Sequence, residues 1–149
     1  MIKKYTYIRL LTYCLLFSCF YSVKAQINIR AHLWDNKKQK FIPHIYLSKS
    51  PIPIGFDEND IHYHGGTAIA IEAGLLSKKE IEAVNRQMIE NVRRSGMPSI
   101  GLTIYPAYPE GLFRGGMSKS WIYQNGGDWT WFGGRMIQQL IANGFIKEA

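Results

Sequence analysis

The chain has 149 residues and a formal net charge of +7, from 18 Lys and Arg against 11 Asp and Glu, with only two cysteines. Four of the basic residues and both cysteines, Cys14 and Cys19, fall in the first 25 residues, so the remainder carries +3 and no thiol. That remainder has no Lys/Arg cluster with a recognition motif, which argues against nucleic-acid binding, and it excludes disulfides and cysteine-ligated metals.

Residues 1–25 read as a secretory signal peptide. Lys3, Lys4 and Arg9 make a basic n-region, Leu10 to Tyr21 a mostly apolar h-region, and Val23 and Ala25 the small-residue positions before cleavage at Gln26. The apolar run is too short for a transmembrane span, which needs about 20 residues. Leu16-Phe17-Ser18-Cys19 faintly resembles a lipobox, the alternative being a lipoprotein anchored through Cys19. The expected mature chain, residues 26–149, is exported, free of the membrane after cleavage, and long enough for one small domain.

Residues 27–34 alternate apolar and polar side chains, a strand period, and Asp35-Asn36-Lys37-Lys38 supplies turn chemistry before a second extended run from Phe41 to Leu47. A β-hairpin follows, with Pro43 placing the second run at an edge. Residues 48–60 form an irregular loop ending in Asp57, Glu58, Asn59 and Asp60. Gly65-Gly66-Thr67 introduces a short helix, Ala68 to Ala73, with Thr67 as N-cap and Gly74 as stop. Ser77-Lys78-Lys79-Glu80 is a capping box. Behind it Ile81, Val84, Met88, Ile89 and Val92 share one face of a helix that Gly96 and Pro98 end. The short linker predicts an antiparallel αα-hairpin. Residues 97–122 have no helical period, and a connection of that length is usually functional. Met136, Ile137, Leu140 and Ile141 mark a last helix over 131–143, stopped by Gly144.

The segment from Tyr123 to Gly134 holds four glycines, four aromatics, Asp128 and the amides Gln124 and Asn125. Glycines permit close backbone approach, aromatics give flat apolar faces, and the polar groups can aim hydrogen bonds, a mixture suited to the floor of a sugar-binding cleft. Buried Trp and Tyr also pack ordinary cores. Glycosidic hydrolysis needs two carboxylates, about 5–5.5 Å apart in retaining enzymes and about 6.5–9.5 Å in inverting ones. Asp128 with Glu58 or Asp57 would supply them if loop and motif converge. The alternatives are solvated loop acids or a helix-terminus anchor for Asp57, Glu58 and Asp60, and a sugar ligand or an N-cap for Asp128. His62 and His64 share a face in extended backbone, where hydrogen bonding at a cleft edge is the expectation over metal chelation; His32 and His44 have no placement. Glu72 interrupts an apolar run, as a surface or a cleft residue. Gly65-Gly66 matches neither a P-loop nor a dinucleotide fingerprint. No cofactor or metal is expected.

Tyr123-Gln124-Asn125-Gly126-Gly127-x-Trp129-x-Trp131 opening a helix resembles a motif late in the (α/α)6-toroid carbohydrate enzymes, the six-hairpin glycosidases, which include glucoamylase-like and amylo-α-1,6-glucosidase-like members. Tyr63-His64-Gly65-Gly66-Thr67 and the loop Ser99-Ile100-Gly101-Leu102-Thr103-Ile104-Tyr105-Pro106 look like consecutive inner-face elements of the same toroid. The likeness covers residues 30–149. It implies a mainly α fold with a small β-hairpin, forming part of an (α/α)6 toroid, and a carbohydrate substrate. It also implies a sugar-binding wall of Tyr123, Gln124, Asn125, Trp129 and Trp131. Beside that wall His62 and His64 are expected to orient hydroxyls or tune a carboxylate. In the family the position of Asp128 is often apolar. A toroid has many more helices than this chain supplies, so the expected chain is a piece of a secreted glycoside hydrolase with little activity of its own. The alternatives are a non-catalytic carbohydrate-binding fragment, or a partner to the missing remainder of the toroid.

Overall fold

The computed structural model describes residues 24–53, 55–115 and 118–149. The proposed h-region and both cysteines lie outside them. The backbone divides into two units, residues 1–32 and 33–149.

Within the first unit the described residues are helical, belonging to a helix over residues 24–33, α1. This corrects the strand expected over 27–34, of which only Trp34 is in a strand. An isolated strand would leave its backbone groups without partners, whereas a helix satisfies them locally; Ile27 and Ile29 are exposed at 61% and 39%, so no sheet face collects the alternating side chains. The hairpin survives in shorter form. Strands β1 (Trp34–Asp35) and β2 (Lys40–Phe41) pair antiparallel, Trp34 opposite Phe41 and Asp35 opposite Lys40. Asp35 Oδ1 accepts from the N–H groups of Lys37 and Lys38 at 2.8 and 2.9 Å, closing the turn. The extended run expected out to Leu47 ends at Phe41, two residues short of Pro43, where the ladder loses a donor.

A single 3-10 turn at Glu58–Asp60 precedes β3 (His62–Tyr63), which runs without a loop into helix α2 (His64–Glu72). The helix therefore starts before Thr67. Its N-cap is Tyr63, and Thr67 lies inside the first turn with its hydroxyl donating to the Tyr63 carbonyl at 2.7 Å. Helix α3 (Lys78–Ser95) carries the expected capping box, Ser77 N–H on Glu80 Oε2 at 2.7 Å and Glu80 N–H on Ser77 Oγ at 3.4 Å, and Gly96 closes it at φ 72°. Its buried face is Ile81, Val84, Asn85, Met88 and Asn91, while Ile89 is 49% exposed. A second small sheet, absent from the sequence reading, joins β3 to β4 (Ile104–Tyr105) with His62 opposite Tyr105 and Tyr63 opposite Ile104. Helix α4 (Thr130–Ala142) ends the sequence of elements.

The second unit is thus mainly helical with two small antiparallel sheets. Its larger core joins Trp34 to Ala68, Ile71, Leu75 and Leu76 around α2, to Ile81, Val84 and Met88 of α3, and to Met136 and Leu140 of α4. Helix α2 packs more extensively on α4 than on α3, and Arg135 of α4 pairs with Glu72 of α2, whose side chain is 46% exposed. A smaller cluster gathers Ile61, Ile104 and Tyr108 with Phe56, Leu112 and Phe113. It forms the base of the candidate site.

Candidate functional site

Thr103 joins three separate strings of sequence. Its carbonyl accepts from His64 N–H at 3.0 Å, its N–H donates to the Gly127 carbonyl at 2.9 Å, and its hydroxyl oxygen accepts from Gly126 N–H at 3.1 Å. The Tyr63–Thr67, Ser99–Pro106 and Tyr123–Trp131 segments therefore meet around one residue. Two glycines make the meeting possible. A Cβ on Gly65 would fall 2.3 Å from the Phe132 ring, and one on Gly101 would fall 2.6 Å from the Trp129 carbonyl oxygen, so a side chain at either forces its segment away from its neighbour.

Where they meet, a cavity of about 330 Å³ opens, lined by Tyr63, Gly65 and Gly66 from one string, Thr103 and Ile104 from the second, Gln124 from the third, and by His44, Tyr108, Phe113 and Phe132 beside them. That volume lies at the lower end of small-ligand pockets. Behind Tyr108 sits Glu58, 8% exposed. Its Oε1 accepts from His44 Nδ1 at 2.8 Å and from the Tyr108 hydroxyl, and its Oε2 accepts from the Tyr46 hydroxyl at 2.7 Å. Tyr63 and Tyr108 hydroxyls lie 2.7 Å apart. Burial pushes the Glu58 carboxyl up, but the hydrogen bonds from Tyr108, Tyr46 and His44 together outweigh it and hold the group below the ordinary carboxylate range. Burial, reinforced by the hydrogen bond to Glu58, pushes the Tyr108 hydroxyl well above the usual tyrosine value. Burial likewise raises Tyr63. At neutral pH the group is one carboxylate anion surrounded by protonated donors.

Of the other carboxylates, Asp57 caps the 3-10 turn, its Oδ1 accepting from Asn59 N–H at 2.9 Å. Asp128 is not the N-cap of α4; that position belongs to Trp129. The Asp128 carboxylate instead accepts from Ser99 N–H at 3.0 Å and from Ser99 Oγ at 2.8 and 3.0 Å, fixing the turn before Thr103. Neither Asp57 nor Asp128 lines the cavity.

The two histidines separate where strand becomes helix. His62, half-buried in β3, is lowered to about 4 by burial and by nearby Lys40. His64 is 2% exposed and lowered to about 3, chiefly by burial. Its Nε2 lies 3.0 Å from Asn91 Nδ2, and Asn91 Oδ1 is taken by Gln87, so His64 Nε2 accepts and its buried Nδ1–H finds no partner among the described residues. Lys40, also buried, donates to the carbonyls of Asn59, at 2.6 Å, and Ile61; burial lowers it to about 8. It pins the chain between the 3-10 turn and β3. No three metal-ligating side chains come together among the described residues.

Asn125 is fully buried, with Oδ1 accepting from Tyr108 N–H at 2.8 Å and Nδ2 donating to the carbonyls of Tyr108 and Lys119 at 3.2 and 3.1 Å. Its side chain holds Tyr108 in place and reaches no solvent. Gln124, by contrast, is on the lining. The aromatics of the same string form a connected surface: Tyr123 against Trp129 at 5.1 Å, Trp129 against Phe132 at 6.2 Å, and Trp131 against Phe132 at 4.9 Å. Tyr123 and Trp131 are 50% and 53% exposed, and the Arg135 guanidinium lies 4.9 Å over the Trp131 ring. Phe132, which lines the cavity, is the ring through which this aromatic run touches it.

Sequence reasoning missed Tyr108, Thr103, Phe132, Tyr46 and His44 as members of the site. The available signal for Tyr108 was the aromatic and proline spacing of Tyr105-Pro106-Ala107-Tyr108-Pro109 inside the long aperiodic segment. Comparison with protein-family models, curated proteins and solved structures found no match.

Proposed function

We propose that the cavity and its aromatic rim are a carbohydrate-binding site, on helices that form part of an (α/α)6 toroid of the six-hairpin glycosidase kind. The observation that carries the reading is the convergence of three strings with that likeness on one cavity. Aromatic rings wall it, and the polar residues Tyr63, His44, Thr103 and Gln124 are among its lining. Flat rings with a few placed hydrogen-bonding groups suit the mixed apolar and hydroxyl faces of a sugar. Export through the leader at 1–25 would bring the chain to glycans outside the cytoplasm.

Binding stands ahead of hydrolysis because of the carboxylates. Hydrolysis requires one carboxyl kept protonated near neutral pH. Glu58 is drawn the other way with both oxygens taken, and Asp57 and Asp128 are engaged elsewhere. Calorimetric titration of the purified protein with a panel of oligosaccharides should give saturable binding, weakened about tenfold in Trp131→Ala by loss of ring stacking and retained in Asp128→Asn. No binding across the panel would refute the reading. Turnover of aryl-glycosides, abolished in Glu58→Gln, would restore hydrolysis to first place.

A further inference from the structure

We propose that Glu58 sets the hydrogen-bond polarity of the cavity, so that its His44–Tyr63 side meets an occupant with acceptor lone pairs only and selects a ligand offering hydroxyl donors there. The inference rests on the carbohydrate reading for the ligand's class, while the polarity follows from the protein alone.

An ionised carboxylate has no proton to give, so every contact with it must be donated by the partner. His44 touches Glu58 Oε1 through Nδ1 at 2.8 Å, so Nδ1 carries the hydrogen, and the tautomer this selects leaves Nε2 as the acceptor. The Tyr108 hydroxyl has one proton, and it goes to Glu58. The 2.7 Å contact between Tyr63 and Tyr108 must then be donated by Tyr63. With its proton committed inward, the Tyr63 oxygen keeps only a lone pair for a ligand. Both His44 and Tyr63 line the cavity, and their rings stand edge to face at 6.3 Å. Tyr46 completes the set by donating to Glu58 Oε2 at 2.7 Å. One buried charge, itself off the lining, thereby dictates which way two lining groups point. Glu58 is a positioning residue.

The test reads the protons directly. Nitrogen-15 correlation spectra of the ligand-free protein at pH 7.5 should show His44 with a pyrrole-type Nδ1 and a pyridine-type Nε2. In Glu58→Gln the new amide can donate, and His44 should shift toward the Nε2–H tautomer. Tyr46→Phe, which removes one donor and leaves the lining intact, should keep the wild-type pattern if Glu58→Gln proves unfolded. In calorimetry, permethylated maltose and cellobiose should bind at least tenfold more weakly than the free sugars, and Glu58→Gln should narrow that gap. A wild-type Nε2–H or doubly protonated His44, or equal affinity for free and methylated sugars, would overturn the proposal. Absence of all sugar binding with the Nδ1–H pattern intact would strike the carbohydrate reading and uphold the polarity.

Discussion

Replacing Asn125 with Ala should destabilise the fold by about 3 kcal/mol. The side chain is 0% exposed and pairs with the backbone of Tyr108 on both sides, N–H and carbonyl, as a neighbouring strand would. Truncation orphans the buried Tyr108 N–H, at a cost of about 1–3 kcal/mol, and removes bonds to two carbonyls worth about 1 kcal/mol each. The Tyr108 carbonyl is partly compensated, since it also accepts from Ser120 Oγ at 2.7 Å. A domain of this size has about 5–15 kcal/mol in total, so the loss is large enough to read in urea unfolding as a lower midpoint with an unchanged slope. Asn125→Asp is the sharper control. It preserves size and the acceptor for Tyr108 N–H but turns acceptors toward the carbonyls of Tyr108 and Lys119, and should cost at least as much as Ala. A loss below about 1 kcal/mol in Asn125→Ala would refute the view that this amide holds Tyr108 and, through it, the Glu58 cluster.

Gly65→Ala should destabilise the protein, because overpacking against the Phe132 ring at 2.3 Å costs about 1–3 kcal/mol against a helix-propensity gain of about 1 kcal/mol. Adding Phe132→Leu should recover part of that loss in a double-mutant cycle followed by thermal unfolding, and a neutral Gly65→Ala would mean α2 and α4 are packed less closely. Acid should also unfold the protein early. The folded-state values of His64, about 3, and His62, about 4, lie below the free imidazole value of 6.5. Stability is therefore fully present above pH 6.5 and is lost as pH falls toward those values. His64 alone should remove about 1.4 kcal/mol per pH unit below 6.5. Urea midpoints measured from pH 7 to 5 should show that slope, flattened in His64→Gln; a flat wild-type profile would contradict the buried neutral ring.

What was legible in the sequence was local. Ser77 and Glu80 reach each other within one helical turn, so the capping box is where the spacing placed it, and Gly96 ends α3 in the left-handed conformation. The period over residues 27–34 misled because eight residues of alternation carry no information about a partner strand, and of them only Trp34 pairs, opposite Phe41. Thr67 has the chemistry of an N-cap, but the sheet contact of Tyr63 starts the helix earlier. The site was partly legible. The three strings named from their residues do converge, yet the atoms that decide its chemistry are contacts across long separations: Ser99 with Asp128, Tyr108 with Glu58, His64 with Asn91. No spacing rule relates such residues, and a carboxylate's role depends on which donor reaches it first.

The arrangement at Thr103 also bears on how the molecule comes to life. Residue 64 on one side and residues 126 and 127 on the other are tied to the same short stretch of backbone, so two chain loops must close before either the glycine turn or the aromatic wall has its final form. Closure costs entropy that only the completed set of contacts repays. The cavity and its aromatic rim are thus assembled with the tertiary fold, as one cooperative unit, and are not a loop decoration laid on a finished scaffold. Substitutions that loosen any one string should blur the other two, which leaves the exposed rings at 123 and 131 as the places where this surface can vary without unmaking it.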